Sequence, residues 1–199
     1  MKVNRKAFFD QYRLAYGKLS QSQVDGIDFL LTQFERDPEF ADVRWIAYAL
    51  ATIKHECADT WQPIVEYGAT TYFAKYEPGT AIGKRLGNVF LGDGARYRGR
   101  GYVQLTGRRN YGEMTNALSL SGDDDLVNHP ERATDPEIAY RILSYGMRHG
   151  SFTGKKLSDY IGKACNYKHA RRIINGNDKA DLIAGYARVS EGILRAALA

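Results

Sequence analysis

The sequence predicts a mainly α fold, of α+β type, in which a helical domain carries one small irregular β element. Three observations point there. Apolar residues recur at helical spacing through most of the 199 residues. One stretch, residues 64 to 106, departs from that period and is dominated by glycine, tyrosine and threonine. The length suits a single domain with a substantial core, and no repeat, low-complexity tract or linker interrupts it. Residues 1–199 are therefore read as one unit without a separate binding module.

The first half reads as helices. "SQSQVDGIDFLLTQFERD" opens on a serine cap at Ser20 or Ser22 and places Val24, Ile27, Leu30, Leu31 and Phe34 on one face. "PEFADVRWIAYALATIKHE" follows, with Val43, Ile46, Leu50 and Ile53 at helical spacing, and should end near Glu56 or Cys57, well before Pro63. "RYRGRGYVQLTG" alternates strand formers with glycine breaks and reads as a small sheet or hairpin. Glu77, ahead of Pro78, reads as part of an exposed turn.

Helices return after Asn110 with "NYGEMTNALSL", then "TDPEIAYRILSYGMRHG", which starts on the signals Thr134, Asp135 and Pro136. "LSDYIGKACN", "KHARRIING" and "DKADLIAGYARVSEGILRAAL" complete the chain. Asp123, Asp124 and Asp125 lack the Gly and Glu positions of a calcium-binding loop and read as a solvated loop leading into a helix.

Composition narrows the function. With 44% hydrophobic and 26% charged residues the chain is neither fibrous nor disordered. The longest apolar run, Trp45 to Ile53, is too short to span a bilayer. "MKVNRKAFFDQYRLAYGK" has basic residues but no apolar core or cleavage site, so it does not read as a signal peptide. The 28 Lys and Arg against 23 Asp and Glu give +5, which favours polyanionic partners. No nucleic-acid reading motif accompanies that charge, and a nucleic-acid partner is not expected. Cys57 and Cys165 stand at no metal-site spacing and read as reduced, buried thiols. "HEC" lacks the second histidine of a zinc-protease motif, because residue 59 is Asp. No metal or cofactor is expected.

"HECADTWQPIVEYG" holds two glutamates ten positions apart, Glu56 and Glu66. Unbroken helix would separate them by about 15 Å. An inverting glycosidase pair needs roughly 6.5–9.5 Å, enough to admit a water. "ADTWQP" stops the helix and lets the chain fold back. Spacing alone favours two unrelated surface charges.

"YRGRGYVQLTGRRNYG", from Tyr97 to Gly112, resembles the Y-x-G-R-G-x-x-Q-L-T-x-x-x-N-Y signature of family 19 glycoside hydrolases, the chitinases and the related phage endolysins. His55–Glu56 is similar to that family's general-acid motif, and "RRIINGNDKADLIAGY" resembles its I-I-N-G segment and following helix. The three motifs run in the family's order across about residues 40 to 190. The single-module layout is most similar to the phage endolysins.

The resemblance implies a lysozyme-like, two-lobed fold with a substrate cleft. It also implies inverting hydrolysis of a β-1,4 link between N-acetylated sugars. Glu56 would be the acid, its neutral form favoured by partial burial, and Glu66 the base, ionised in a polar loop. Thr106 would help to hold the attacking water. Gln104, Asn110, Asn175, Tyr111 and Tyr67 would bind sugar, and His55 and Arg100 would support the site from behind. Plainer roles exist for several: Thr106 and Gln104 could pair strand edges, Asn175 could make a turn, and Trp61, Tyr67 and Tyr72 could pack rather than stack on sugar. The family's arginine that pairs with the acid aligns here with Leu182, so either Arg188 or another basic residue replaces it, or the acid is tuned differently.

Peptidoglycan glycan strands are the expected partner, reached from the bacterial cytoplasm with the help of a membrane-hole-forming protein, and the chain is expected to be a monomer. Chitin hydrolysis and a catalytically dead glycan-binding module are the alternatives.

Overall fold

The computed structural model describes residues 1–198. The fold is mainly helical. Its helices are α1 (Arg5–Tyr16), α2 (Gln21–Arg36), α3 (Val43–Glu56), α4 (Ala81–Arg85), α5 (Asp93–Arg96), α6 (Arg108–Ala117), α7 (Pro136–His149), α8 (Leu157–Tyr160), α9 (Tyr167–Ala170) and α10 (Ala180–Ala197). Strands β1 (Ile64–Val65) and β2 (Arg100–Gly101) form the one sheet among the described residues. The chain divides into two compact units, Met1–Gln62 with Leu143–Ala199, and Pro63–Ile142. No described helix is long and apolar enough to cross a membrane.

The first unit is built around α3. Every residue from Ile46 to Ile53 is buried, as befits a helix with few polar residues on any face. α10 packs along it, with Ile183, Ala184, Ala187 and Leu194 fully buried; its alanines let the two backbones approach closely. Caps set the starts. Ser20, rather than Ser22, caps α2 in a reciprocal box with Gln23, and the Asp42 side chain accepts from Arg44 N at the head of α3. A further helix, α1, precedes both; Asn4 caps it, and Phe8, Phe9 and Tyr12 form its buried face.

α3 ends at Glu56, and the turn after it is strained. Ala58, Asp59 and Trp61 have φ of 48°, 62° and 61°, a region that non-glycine residues seldom occupy. Several contacts hold them there. The buried Lys54 ammonium donates to Asp59 Oδ1 (2.6 Å) and to Tyr12 OH (3.0 Å). Trp61 Nε1 donates to the same carboxylate at 2.9 Å, and Gln23 Nε2 donates to the Asp59 carbonyl at 2.8 Å. A Cβ on Gly26 would lie 2.3 Å from the Trp61 carbonyl, so only glycine lets this turn close on α2. Trp61 is 1% exposed and packs in the core, where it has no face to offer a sugar. Cys57 is buried as expected, but Cys165 is exposed, because it lies in the irregular segment between α8 and α9.

In the second unit β1 pairs antiparallel with β2, Ile64 opposite Gly101 and Val65 opposite Arg100. The β element is small, as the sequence predicts, and an antiparallel bridge also pairs Arg100 with Leu105. Between the two strands the chain forms a 3-10 turn at Thr70–Tyr76 and helices α4 and α5. Side chains there satisfy backbone groups that a larger sheet would have paired. Thr80 Oγ1 accepts from Gly83 N, and Asp93 Oδ2 accepts from Val89 N and Phe90 N. Glu77 is not in a free turn: it is half-buried, and its Oε2 accepts from Gly92 N at 2.8 Å. The aspartate run is also more committed than a solvated loop. Asp124 pairs with Arg132 at 2.7 Å, and Asp125 accepts from Val127 N and Asn128 Nδ2.

Candidate functional site

Glu66 follows β1, and its own N–H continues the ladder by donating to the Gly99 carbonyl at 2.7 Å. Both carboxylate oxygens meet a fixed donor. Tyr76 OH donates to Oε1 at 2.8 Å, and Gly99 N donates to Oε2 at 3.0 Å. A carboxylate has about four lone-pair sites, so acceptor capacity remains for a third group such as water. Glycine at 99 leaves room for both side chains: a Cβ there would lie 2.8 Å from Gln104 Oε1 and 3.2 Å from Glu66 Oε2.

The other motif residues bond to backbone and to one another. Gln104, at φ 53°, donates its amide hydrogens to the Ile64 carbonyl (3.2 Å) and the Gly101 carbonyl (3.1 Å), fastening the two strands together. Its nitrogen is therefore committed to backbone, and only its carbonyl oxygen remains for a sugar. Thr106 Oγ1 donates to Gln104 O at 2.8 Å, and Asn110 Nδ2 donates to Thr106 O at 2.7 Å. The Thr106 hydroxyl can still accept from a water.

Tyr111 is 0% exposed, so it cannot touch substrate as the resemblance implied. Its hydroxyl instead donates to the Arg98 carbonyl at 2.7 Å and accepts from Arg100 Nη1 at 3.0 Å. Arg100 is also buried and donates to the Arg96 carbonyl at 2.8 Å, a supporting role. Tyr67 is 95% exposed. A cavity of about 480 Å³ opens here, lined by Ile64, Val65, Glu66, Tyr67, Gly68 and Arg98.

Tyr76, missed in the sequence, is the clearest support of Glu66. Burial first, then the hydrogen bond to Glu66 and its charge, push the Tyr76 phenol up to about 12. It stays a donor throughout the neutral range. The folded state holds this proton more tightly than the unfolded chain, so the stability it contributes is complete below the ordinary value of 10.0 and is lost as pH rises through about 12. The stability of wild type relative to Tyr76→Phe should therefore fall between about pH 10 and 12, measured as urea midpoints of the two proteins at each pH. The other tyrosines are common to both and cancel. A difference that stays constant across that window would contradict this role.

In the first unit, Glu56 is the last residue of α3, its side chain 16% exposed. Arg171 Nη1 donates to Glu56 Oε1 at 2.5 Å, and Arg171 Nε donates to the Asp178 carbonyl at 2.9 Å. The Arg171 side chain is only 2% exposed, a buried charge that requires a partner. The arginine beside Glu56 is therefore Arg171, at the start of "RRIING". Neither Leu182, which is 44% exposed on α10, nor Arg188 takes that place. Asn175 is exposed and donates its N–H to the Arg171 carbonyl at 2.9 Å, while His55 is half-buried on the last turn of α3.

The structure thus joins Glu66 with Tyr76 and Gly99, links Gln104, Thr106 and Asn110 by their own hydrogen bonds, and brings Glu56, Arg171 and Asn175 together. No cluster of His, Cys, Asp and Glu among the described residues could hold a metal ion. No protein-family model matches the chain, and no curated protein matches it significantly.

Proposed function

We propose that the protein is a glycoside hydrolase of the phage-endolysin type, cutting β-1,4 bonds between N-acetylated sugars of peptidoglycan with inversion. The observation that carries this reading is the cradle of Glu66: a carboxylate with both oxygens oriented by fixed donors at the edge of an open cavity. In this reading Glu66 draws a proton from the attacking water, and the Thr106 hydroxyl accepts a hydrogen bond from the same water. Glu56 protonates the leaving oxygen, and Arg171 orients it and stabilises the carboxylate that remains. The exposed Tyr67 ring and Asn175 amide contact sugar. The net charge of +5 suits an anionic wall. Access to that wall through a membrane-hole-forming partner belongs to the same proposal.

The test is mass spectrometry of borohydride-reduced products from purified walls. Reduced muramic acid ends identify a muramidase, reduced glucosamine ends a glucosaminidase, and either outcome supports the reading. Intact strands alongside cleaved chitin oligomers would replace it with a chitinase. Binding of glycan with no cleavage of either substrate would leave a glycan-binding module.

A further inference from the structure

The cavity beside Glu66 carries a cation that none of the steps above uses. Arg98 lines it. Its Nε donates to the Ala95 carbonyl at 2.8 Å, and its guanidinium carbon lies 4.9 Å from the Phe73 ring centroid, which fixes the side chain. Among the described residues no acceptor meets its two terminal nitrogens and no carboxylate pairs with it. A second cation stands close by: Lys75 Nζ lies 3.5 Å from the Tyr72 centroid and 4.7 Å from that of Tyr76, the residue that holds Glu66. It too has no carboxylate partner among the described residues. An oriented guanidinium with a free edge is matched to a planar anion, which takes two parallel N–H bonds.

We propose that Arg98 binds a carboxylate of the substrate's stem peptide, so that this cavity is a subsite for an acidic substituent on the glycan. The inference rests on the wall-hydrolase reading and sharpens it. A chitin strand presents only hydroxyl and acetamido groups, whereas peptidoglycan strands carry peptides with free carboxylates. Glu66 repels an anion entering the same cavity, and Arg98 compensates that repulsion on its own side. The pair therefore selects the position of the acidic group as well as its presence.

The experiment compares glycan strands bearing free stem-peptide carboxylates with the same strands after carbodiimide amidation. Wild type should show a KM about tenfold lower on the acidic strands, as expected of a charge-assisted bond. Arg98→Met should abolish that difference with kcat preserved, and Arg98→Lys should keep part of it. A wild-type enzyme indifferent to amidation would overturn the proposal, as would an Arg98→Met variant that keeps the preference or loses kcat equally on both strands. If Arg98→Met fails to fold, the wild-type comparison decides alone. If wild type cleaves neither strand, the hydrolase reading fails by itself. Titration of isolated stem peptide, followed by NMR, then decides the subsite: binding weakened in Arg98→Met supports it, and equal or absent binding overturns it.

Discussion

Glu66→Gln and Glu56→Gln each remain folded and lower wall hydrolysis by about 10²–10⁴-fold, the contribution of a positioned acid or base. Glutamine at 66 fits the cradle. Its carbonyl can accept from Gly99 N, and the Tyr76 hydroxyl can turn to accept from its amide. Loss of activity there reports lost basicity rather than lost structure. On the proposed mechanism both residues serve one transition state, so the double variant should lose less than the product of the single effects. Glu77 is unsuitable as a control, since it braces Gly92. Glu131, with a side chain 66% exposed, is suitable, and Glu131→Gln should retain wild-type rates. Initial rates on purified walls, with thermal unfolding as the check on folding, separate these outcomes. Near wild-type activity in either single variant would remove that residue from the mechanism.

Arg171→Met destabilises the protein by about 3–5 kcal/mol, the usual cost of stripping one partner from a buried ion pair. The carboxylate of Glu56, only 16% exposed, would be left without its cation. Glu56→Gln costs less, because the amide oxygen still accepts from Arg171. Adding Glu56→Gln to Arg171→Met should recover part of the loss, since no buried charge then remains at the pair. Urea unfolding of the three variants measures all of this. A loss under about 1 kcal/mol for Arg171→Met would place the pair in the weak class of surface salt bridges.

The long helices were legible because their apolar periodicity is strong and their caps are local. Ser20 and Gln23 announce α2, and Val43, Ile46, Leu50 and Ile53 announce α3. The stretch from 64 to 106 holds the small β element that its sequence predicts, but its glycines serve close contacts as well as strand breaks. A Cβ on Gly83, for example, would lie 2.0 Å from the Glu77 carbonyl, a packing demand that no periodicity reveals. Gln104, Thr106 and Asn110 sit inside the glycine-rich motif, so they could be singled out. Their hydrogen bonds to backbone could not. Tyr76 and Arg171 escaped for another reason. Arg171 meets Glu56 across 115 positions, and a contact formed by tertiary folding leaves no mark on local spacing. Tyr111 was misplaced because its motif position says nothing about which way the side chain turns once α6 packs.

The configuration of the newly formed reducing end tests the acid–base account most directly. Inversion at a β-1,4 link releases the α-anomer first, whereas a retaining mechanism through a covalent intermediate releases the β-anomer. Proton NMR of a digest of soluble glycan strands, followed from the first minutes before mutarotation, resolves the two. The account predicts an initial excess of the α-anomer that decays toward equilibrium. An initial excess of the β-anomer would contradict it.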